Sequence, residues 1–243
     1  MILFILSDLN QIIFIIFTIK IFQNLKKVSE NLKHTFTKDN SSTLFNEIYK
    51  EHYHSTHGAL QESQYVFIDK GLANFKNKSL SIFELGFGTG LNAYLTLLKS
   101  TSKIYYDCID TVKLDFSIVK QLNYSDLLGE DATLFFQLHQ ANWDEISYIS
   151  DHFVLHKYYQ DICTFSFEKS YDLIYFDAFS PRIQPELWTK PLISKCYDFL
   201  NENGLFVTYC AKSSVRKILI DVGFRVEKCP GPPGKREMIR AFK

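Results

Sequence analysis

Three glycines and one acidic residue in the first half of the chain have the spacing of a nucleoside-binding site. The run FELGFGTG at residues 83–90 follows an apolar segment and precedes a helix-like one, so that Gly86, Gly88 and Gly90 would let a ligand approach bare backbone. The next strand-like run ends at Asp110, 24 residues beyond Gly86. A carboxylate at that spacing can accept hydrogen bonds from both hydroxyls of a ribose. This combination predicts a site for a nucleoside cofactor.

The pattern of the glycines and a neighbouring carboxylate indicate which cofactor this is. The glycines follow G-x-G-x-G, whereas dinucleotide sites use G-x-G-x-x-G, with backbone N–H groups around a pyrophosphate. Glu84 adds a carboxylate where that anion would lie, which favours a cofactor with a cationic or zwitterionic tail. S-adenosyl-L-methionine has this form, with a sulfonium, an ammonium and a ribose for Asp110. The alternative, a glycine turn that only packs a helix against a sheet, is less favoured because Glu84 and Asp110 accompany the glycines.

The best candidate for the chemistry is Asp177, which ends another strand-like run and begins the motif DAFSP at residues 177–181. A carboxylate there can orient a substrate amine and accept its proton, while Phe179 shields the pocket from water. Methyl transfer is an in-line displacement, so most of its catalysis comes from holding the amine nitrogen and the methyl group close and aligned. The attacking amine must be neutral. The sequence leaves open whether Asp177 is the proton acceptor or only orients the amine.

The elements that must position these side chains alternate along the chain. We predict strands at 80–86, 104–110, 152–158, 174–177, 205–210, 223–228 and 237–242. We predict helices near 90–99, 114–123, 185–200 and 212–221. Ligands bind beyond the carboxyl ends of parallel strands, which places the glycine loop, Asp110, Asp161 and Asp177 on one rim. The last strand follows a loop and not a helix, so we expect it to insert antiparallel into the α/β, Rossmann-like sheet of a class I S-adenosyl-L-methionine-dependent methyltransferase.

Asp161 and Ile162 follow the third predicted strand. An Asp at this place can accept a hydrogen bond from the exocyclic amine of adenine, or it can cap a helix. We favour the cofactor-binding role for both residues by a small margin.

Charge and cysteine content narrow the class of protein. The 243 residues include 27 Lys and Arg and 27 Asp and Glu, whereas residues 204–243 hold nine basic and three acidic side chains. That local excess suits either a phosphate backbone or an ordinary solvated face. The five cysteines are widely spaced and form no C-x-x-C pair, which predicts a reducing compartment, the cytoplasm, and no structural metal. Zinc is the less favoured reading of the loop cluster His52, His54 and His57.

We divide the chain into an apolar extension and polar linker at residues 1–39 and a methyltransferase domain at residues 40–243. Residues 1–22 are strongly apolar, but no basic residue precedes them, and their uninterrupted run at 12–17 is shorter than the about 20 residues of a membrane span. A membrane-associating helix, a packed extra helix and translated sequence upstream of the natural start remain open. We favour the last, and therefore do not favour membrane contact.

Five short motifs occur in an order that resembles a known family. They are HGALQES at 57–63, FELGFGTGLN at 83–92, DAFSP at 177–181, PELW at 185–188 and GKREM at 234–238. Over roughly residues 40–243 the set resembles the MnmC/MnmD-type tRNA methyltransferases. The resemblance implies use of S-adenosyl-L-methionine to convert 5-aminomethyl-2-thiouridine, at the wobble position of the tRNA anticodon loop, to its 5-methylaminomethyl form.

The resemblance also implies roles for individual residues. The glycine loop with Asp110 would hold the cofactor, Asp177 would face the substrate amine, and Lys235 with Arg236 would lie near the pocket and the RNA. Residues expected on the substrate or RNA side also include Glu62, Tyr65 and Phe179.

Bifunctional members of the family carry an FAD-dependent oxidase domain. This chain stops at Lys243, so we expect methylation only, of an amine that an upstream enzyme supplies. A small-molecule amine methyltransferase or an aminopropyltransferase of the same fold is the alternative, and a binding module that retains only the fold is another.

Overall fold

The structure, a computed structural model, describes residues 31–75 and 78–243. Its first strands form a small antiparallel sheet in the order β1 (Leu32–Phe36), β2 (Ser42–Asn46) and β3 (Glu51–His52). The expected linker up to residue 39 therefore contains a strand. A polar edge strand has the composition of a linker, which is why the sequence pattern missed it. The apolar segment at residues 1–22 lies outside the described residues.

A mixed sheet with eight strands in the described chain forms the centre of the molecule. Its strands are β4 (Leu80–Leu85), β5 (Ile104–Asp110), β6 (Ile146–Ser150), β7 (Phe153–Tyr159), β8 (Tyr171–Phe176), β9 (Leu200–Thr208), β10 (Arg225–Pro230) and β11 (Glu237–Phe242). Their order across the sheet is β10-β11-β9-β8-β4-β5-β7-β6. Strands β4, β5, β7, β8 and β9 run parallel, and β11 pairs antiparallel with both β9 and β10. This confirms the predicted Rossmann-like sheet with an antiparallel last strand.

Helices pack on this sheet and connect its strands. The α-helices of the described chain are α1 (Ala59–Ser63), α2 (Leu91–Lys99), α3 (Phe116–Val119), α4 (Tyr124–Leu128), α5 (Thr133–Gln140), α6 (Lys190–Asp198) and α7 (Ser213–Val222). A π-helical turn follows α1 at Gln64–Asp69, and 3₁₀ turns lie at Leu72–Asn74 and Pro185–Trp188. None of the helices within residues 31–75 and 78–243 is long and apolar enough to span a membrane.

Each face of the sheet buries its own apolar cluster. Successive residues of a strand point to opposite faces, so Ile82 on β4 joins the cluster beneath α2 and α5 while Phe83 joins the cluster on the other side. Tyr94 of α2 meets Phe135 of α5, with ring centres 5.1 Å apart, in the first cluster. The same alternation directs Glu84 to the face that α2 covers.

Two predicted helices are shorter in the structure. The segment expected at 114–123 contains only α3, and the separate helix α4 begins at Tyr124, because the side chain of Asn123 bonds to the hairpin between β1 and β2. The Asn123 Oδ1 accepts from the Ser42 N–H (2.8 Å), and its Nδ2 donates to the Asn40 carbonyl (2.9 Å). The segment expected at 185–200 divides into a 3₁₀ turn and α6, which starts with Pro191 in its first turn, where a missing N–H costs little. The strand β6 and the helix α5 were not predicted from the sequence.

Candidate active site

A cavity of about 950 Å³ opens where β4, β5, β7 and β8 end, and it contains most of the predicted site. Its walls include, among the predicted residues, Glu62, Gly86, Gly88, Asp110, Asp161, Ile162, Asp177, Phe179 and Lys235. Parallel strands explain this convergence, because their carboxyl ends meet on one edge of the sheet. Residues far apart in the sequence therefore share one pocket of a size that suits a nucleoside cofactor with room to spare.

The glycine loop lies between β4 and α2 and is closely packed. Gly86 has φ of +91°, and a Cβ atom there would lie 2.8 Å from the carbonyl oxygen of Asp177. Gly88 has φ of +50°, and a Cβ atom there would lie 3.2 Å from the ring of Tyr53. Both the left-handed backbone and the missing side chain are required at these two positions. The loop thus forms a bare backbone cradle on the cavity wall.

Asp110, at the end of β5, is tied to this cradle. Its Oδ2 accepts from the Gly88 N–H (2.9 Å), and its Oδ1 accepts from the Val112 N–H (2.9 Å). Burial raises the pKa of Asp110, and these backbone donors partly offset that effect. Asp110 also lines the cavity, where its carboxylate can accept from a ligand hydroxyl. The cradle, the carboxylate and the cavity volume fit the predicted S-adenosyl-L-methionine.

Asp161 and Ile162 lie on the cavity wall after β7. The Asp161 Oδ1 accepts from the Cys163 N–H (2.8 Å), and its carbonyl accepts from the Thr164 N–H (3.0 Å). Asp161 therefore stabilises a turn, as the capping alternative expected, and its side chain also lines the cavity. Ile162 is buried and supplies apolar surface beside it. Adenine contact by this pair stays a prediction.

Asp177 follows β8 directly and stands beside the glycine loop. Its Oδ2 accepts a hydrogen bond from the Asn92 side chain (2.8 Å). Burial, reinforced by the charge of Glu62, raises the pKa of Asp177 from 3.8 to about 7, although Asn92 and Lys235 act in the opposite direction. A carboxyl that titrates near neutral pH can both hold and release a proton under working conditions, as a general base requires.

Glu62 and Lys235 form an ion pair on the cavity wall near Asp177. Lys235 belongs to the loop between β10 and β11, and Glu62 belongs to α1. The Glu62 Oε2 also accepts from the Ser55 N–H (2.8 Å), and the Lys235 ammonium lies 3.8 Å from the centre of the Tyr209 ring. The pair joins α1 to the loop before β11 beside the cavity.

Aromatic side chains line the wall next to Asp177. The Phe179 ring meets Tyr49 and Tyr53 edge to face, with ring centres 5.4 and 5.2 Å apart. The Phe179 carbonyl accepts from the Trp188 indole N–H (2.8 Å), which fixes the turn after β8. These rings offer apolar surface for a planar group beside Asp177.

Four predicted residues do not line the cavity. Glu84 is fully buried beneath it and accepts a hydrogen bond from Asn92 (2.9 Å), so its carboxylate does not face a cofactor tail. A Cβ atom on Gly90 would lie 2.8 Å from His139 Nε2, on the side of the loop toward α5. The Tyr65 hydroxyl donates to the Pro230 carbonyl (2.9 Å), and Arg236 is exposed. These four residues are placed to support the cavity or its surroundings.

Sequence reasoning did not identify several residues of the site. Tyr209 directly follows β9, so the rule that placed Asp177 could also have found it. Asn92 lies in the first turn of α2, and nothing in the sequence indicated that its amide would reach Asp177. Tyr49 precedes β3, a strand that the sequence pattern did not predict.

All three residues of the histidine cluster lie at the cavity, and His54 also makes contacts with two threonines. His52, His54 and His57 all line the cavity, and His54 lies between Thr43 Oγ1 (3.2 Å) and Thr89 Oγ1 (3.3 Å). Burial lowers the pKa of His54 to about 4. Among residues 31–75 and 78–243, no group of three His, Cys, Asp or Glu side chains is arranged to hold a metal ion.

The known proteins that this chain resembles include methyltransferases. A family model described as S-adenosyl-L-methionine-dependent methyltransferase matches residues 129–243. The bifunctional protein MnmC of tRNA 5-methylaminomethyl-2-thiouridine biosynthesis is 26% identical over 216 residues in Hydrogenovibrio crunogenus and 30% identical over 209 residues in Campylobacter hominis. Both matches cover 82% of this chain, but only 32% and 31% of the relatives. The chain thus spans about a third of the length of these curated relatives.

Solved structures agree with this comparison. The crystal structure of MNMC2 from Aquifex aeolicus is similar at a TM-score of 0.66 and 25% identity, over 86% of this chain and 69% of that one. Spermidine synthase from Thermotoga maritima is similar at a TM-score of 0.51 and 12% identity, over 87% and 72% of the two chains. The second likeness extends to the fold alone.

Proposed function

The chain belongs to the S-adenosyl-L-methionine-dependent methyltransferases, in the family of the MnmC methyltransferase domain, and we propose that it N-methylates 5-aminomethyl-2-thiouridine at the tRNA wobble position. The product is 5-methylaminomethyl-2-thiouridine, the nucleoside whose biosynthesis the MnmC relatives serve. The observation that supports this best is Asp177, a carboxyl with a pKa of about 7 on a cavity wall beside the glycine loop.

S-adenosyl-L-methionine is the cofactor, and it supplies an electrophilic methyl group on a sulfonium sulfur. The backbone of Gly86 and Gly88 would cradle it, and Asp110 would accept hydrogen bonds from its ribose hydroxyls. Asp161 and Ile162, farther along the same wall, would hold the adenine. The Tyr53 ring packs closely over the Gly88 backbone.

Asp177 would prepare the substrate amine. An alkyl amine is mostly protonated at neutral pH, and its nitrogen has no free lone pair in that form. The ionised Asp177 carboxylate can take the proton, so that the N–H bond breaks as an O–H bond forms on Asp177 and the amine becomes neutral. Because its pKa lies near neutrality, Asp177 is mostly ionised at pH 7.5 and is still basic enough to accept a proton from the substrate ammonium.

The aromatic wall and the basic loop would receive the nucleotide. The base can stack among Tyr49, Tyr53 and Phe179, as splayed-out anticodon-loop bases do on aromatic side chains. The exposed Arg236, next to Lys235, is available to a phosphate. The substrate must arrive with a free amine, so another enzyme activity must unmask it first.

The test is methyl transfer from labelled S-adenosyl-L-methionine to tRNA that carries 5-aminomethyl-2-thiouridine. We expect transfer by wild type and a loss of about 10²- to 10⁴-fold in Asp177→Asn, which keeps the side-chain volume but removes the base. Cofactor binding by calorimetry should persist in the variant. Asp221→Asn, on the exposed surface of α7, is the matched control and should retain full activity.

Substrate controls separate this proposal from the alternative. The same tRNA without the aminomethyl group should accept no label. Spermidine and putrescine, offered as small amines, should accept none either. Transfer to a polyamine with no transfer to the modified tRNA would contradict the proposal and assign the chain to a small-amine enzyme.

A further inference from the structure

One amide connects the catalytic carboxyl to a second carboxyl beneath the cavity. Asn92 Nδ2 donates to Asp177 Oδ2 (2.8 Å) and to Glu84 Oε1 (2.9 Å). Asn92 is only 4% exposed, and Glu84 is 0% exposed. The two carboxyls come from neighbouring parallel strands, since Glu84 lies on β4 and Asp177 follows β8. A single side chain from α2 thus joins both strands.

The donor side of this amide is fully used. An asparagine amide has two N–H bonds, and here each has a carboxyl oxygen as its acceptor. Within residues 31–75 and 78–243, Asn92 Oδ1 is buried and has no hydrogen-bond partner, whereas the Glu84 side chain also faces the hydroxyl of Tyr106. An unsatisfied buried polar atom is costly, and its retention beside a catalytic carboxyl indicates a function beyond packing. None of the described residues donates a hydrogen bond to Asp177 Oδ1.

We propose that Asn92 is a positioning residue for the methyl-transfer reaction, because it holds the Asp177 carboxylate through Oδ2 and leaves Oδ1 for the substrate amine. Glu84 completes the arrangement by fixing the second N–H of the amide, so that the amide cannot turn its oxygen toward Asp177. This inference rests on the proposed function of Asp177. It gives Asn92 a role in the reaction that is separate from cofactor binding by the glycine loop.

Glu84 serves this role as a neutral carboxylic acid. Burial raises the pKa of Glu84 well above its usual range, and the neighbouring charges of Asp177 and Asp110 add to that effect. Two ionised carboxylates on one neutral amide would repel each other, whereas a neutral Glu84 allows the single negative charge to lie on Asp177. The proton that leaves the amine then goes to Asp177.

The charged and titratable groups around Asp177 and Glu84 influence the pKa values of these two carboxyls. Those facing Asp177 are Glu62 from α1, Lys235 from the loop before β11, Tyr209 after β9, and Glu84. Those facing Glu84 are Asp110, Tyr106 and Cys108 from β5, Tyr175 from β8, and Asp177. The decisive comparison therefore changes only Asn92 or Glu84 and leaves these groups in place.

The experiment titrates Asp177 by infrared spectroscopy, with its carboxyl band assigned by its loss in Asp177→Asn. Asn92→Ala removes a donor to the ionised form, so the pKa of Asp177 should rise by about one pH unit. Turnover of modified tRNA should fall about 10²-fold at pH 7, because the carboxylate is no longer held in place. The acid limb of kcat should move upward with the titration, and the affinity for S-adenosyl-L-methionine should change little.

Two further variants separate positioning from general damage. Asn201→Ala is the matched control, because Asn201 Nδ2 donates to Asp172 Oδ1 (3.1 Å) away from the cavity. It should move neither the Asp177 band nor the acid limb. Glu84→Gln keeps an acceptor for Asn92 and mimics a neutral acid, so it should leave the titration of Asp177 where it is.

The outcomes decide both parts of the inference. An unmoved Asp177 titration in Asn92→Ala overturns the positioning role, and so does a loss of turnover that only follows a loss of cofactor binding. A lower pKa of Asp177 in Glu84→Gln would show that Glu84 carries a charge and would overturn its neutral role. Because the infrared titration needs no tRNA, it reads the Asn92 contact even if wild type fails to methylate the proposed substrate.

Discussion

Lys235 and Glu62 form an ion pair whose charges act on Asp177 in opposite directions. The Glu62 side chain is 8% exposed and that of Lys235 is 27% exposed, so neither is fully screened by water. Burial is the main cause of the raised pKa of Asp177, and Glu62 raises it further while Lys235 lowers it. The ion pair therefore tunes the base of the proposed reaction in addition to joining α1 to the loop before β11.

Neutralising each partner should move the pH dependence of the reaction in opposite directions. In Glu62→Gln the pKa of Asp177 should fall, so that activity persists to lower pH than in wild type. In Lys235→Met the pKa of Asp177 should rise. As the pH is lowered, the variant should therefore lose activity at a higher pH than wild type does. The measurement is kcat for modified tRNA between pH 5.5 and 9. Lys235→Met should also lower the unfolding free energy by about 1–3 kcal/mol, because the buried Glu62 carboxylate loses its partner.

Lys228 provides the control for this comparison. It pairs with Glu237 (2.6 Å) across the same β10–β11 hairpin, but both side chains are more exposed than those of the Glu62–Lys235 pair, at 41% and 33%. Lys228→Met should leave the acid limb of kcat in place and change stability by less than about 1 kcal/mol. Shifts in the same direction for Glu62→Gln and Lys235→Met would contradict the assignment of opposite effects.

Two glycines with similar backbone angles should respond differently to alanine. Gly86 and Gly129 have φ of +91° and +68°, but a Cβ atom on Gly86 would lie 2.8 Å from the Asp177 carbonyl, whereas one on Gly129 would have nothing within 4 Å. Gly129→Ala should cost about 1 kcal/mol from backbone strain alone, with normal activity. Gly86→Ala should cost about 2–4 kcal/mol and weaken cofactor binding, because strain and overpacking add.

Denaturant unfolding and calorimetric binding of S-adenosyl-L-methionine check this pair. Equal destabilisation of the two variants, with cofactor affinity retained in Gly86→Ala, would mean that the close approach to Asp177 does not shape the loop.

The sequence predicted the sheet and the rim of the site because both depend on strong local signals. Buried parallel strands read as apolar runs, and their carboxyl ends must share an edge, so Asp110 and Asp177 could be placed near the glycine loop. The antiparallel last strand followed from the loop that precedes it. These inferences needed only the order of elements along the chain.

Contacts between side chains were beyond the reach of such patterns. Glu84 was expected to face the cofactor, but the alternation along β4 turns it toward α2, where Asn92 binds it. The strand β1 and helix α5 were missed because a polar edge strand and a short helix lack the long apolar periodicity on which sequence reasoning depends. The role of Glu84 thus depends on the direction of its side chain, which the sequence pattern did not reveal.

His139 should make stability depend on pH through its contact with the glycine loop. Its Nε2 lies 3.0 Å from the Thr89 carbonyl, and burial lowers the pKa of His139 from 6.5 to about 3. Between pH 4 and 6 the unfolded chain binds a proton on this histidine and the folded chain does not, so its contribution falls as pH decreases. His139→Gln, which can still donate to Thr89, should flatten that dependence by up to about 1.4 kcal/mol per pH unit.

Chemical unfolding of wild type and His139→Gln at several pH values between 4 and 7 measures this effect. His152→Gln is the control, because His152 is a partly exposed histidine far from the loop, near the Leu97 carbonyl. Parallel stability curves for wild type and His139→Gln would contradict a neutral, buried His139.

Asp177 should reduce the stability of the folded chain at the pH where it is proposed to work. Its pKa is raised from 3.8 to about 7, mainly by burial. The folded state thus keeps a proton between pH 4 and 7 that the unfolded state releases, so the stabilising contribution present below pH 4 is lost as pH rises through 7. Asp177→Asn cannot ionise, and it should melt well above wild type at pH 8, since about 1 kcal/mol corresponds to about 2–4 °C in a chain of this size. The two melting temperatures should converge toward pH 4, and a lower melting temperature for the variant at pH 8 would show that the ionised carboxylate stabilises the site.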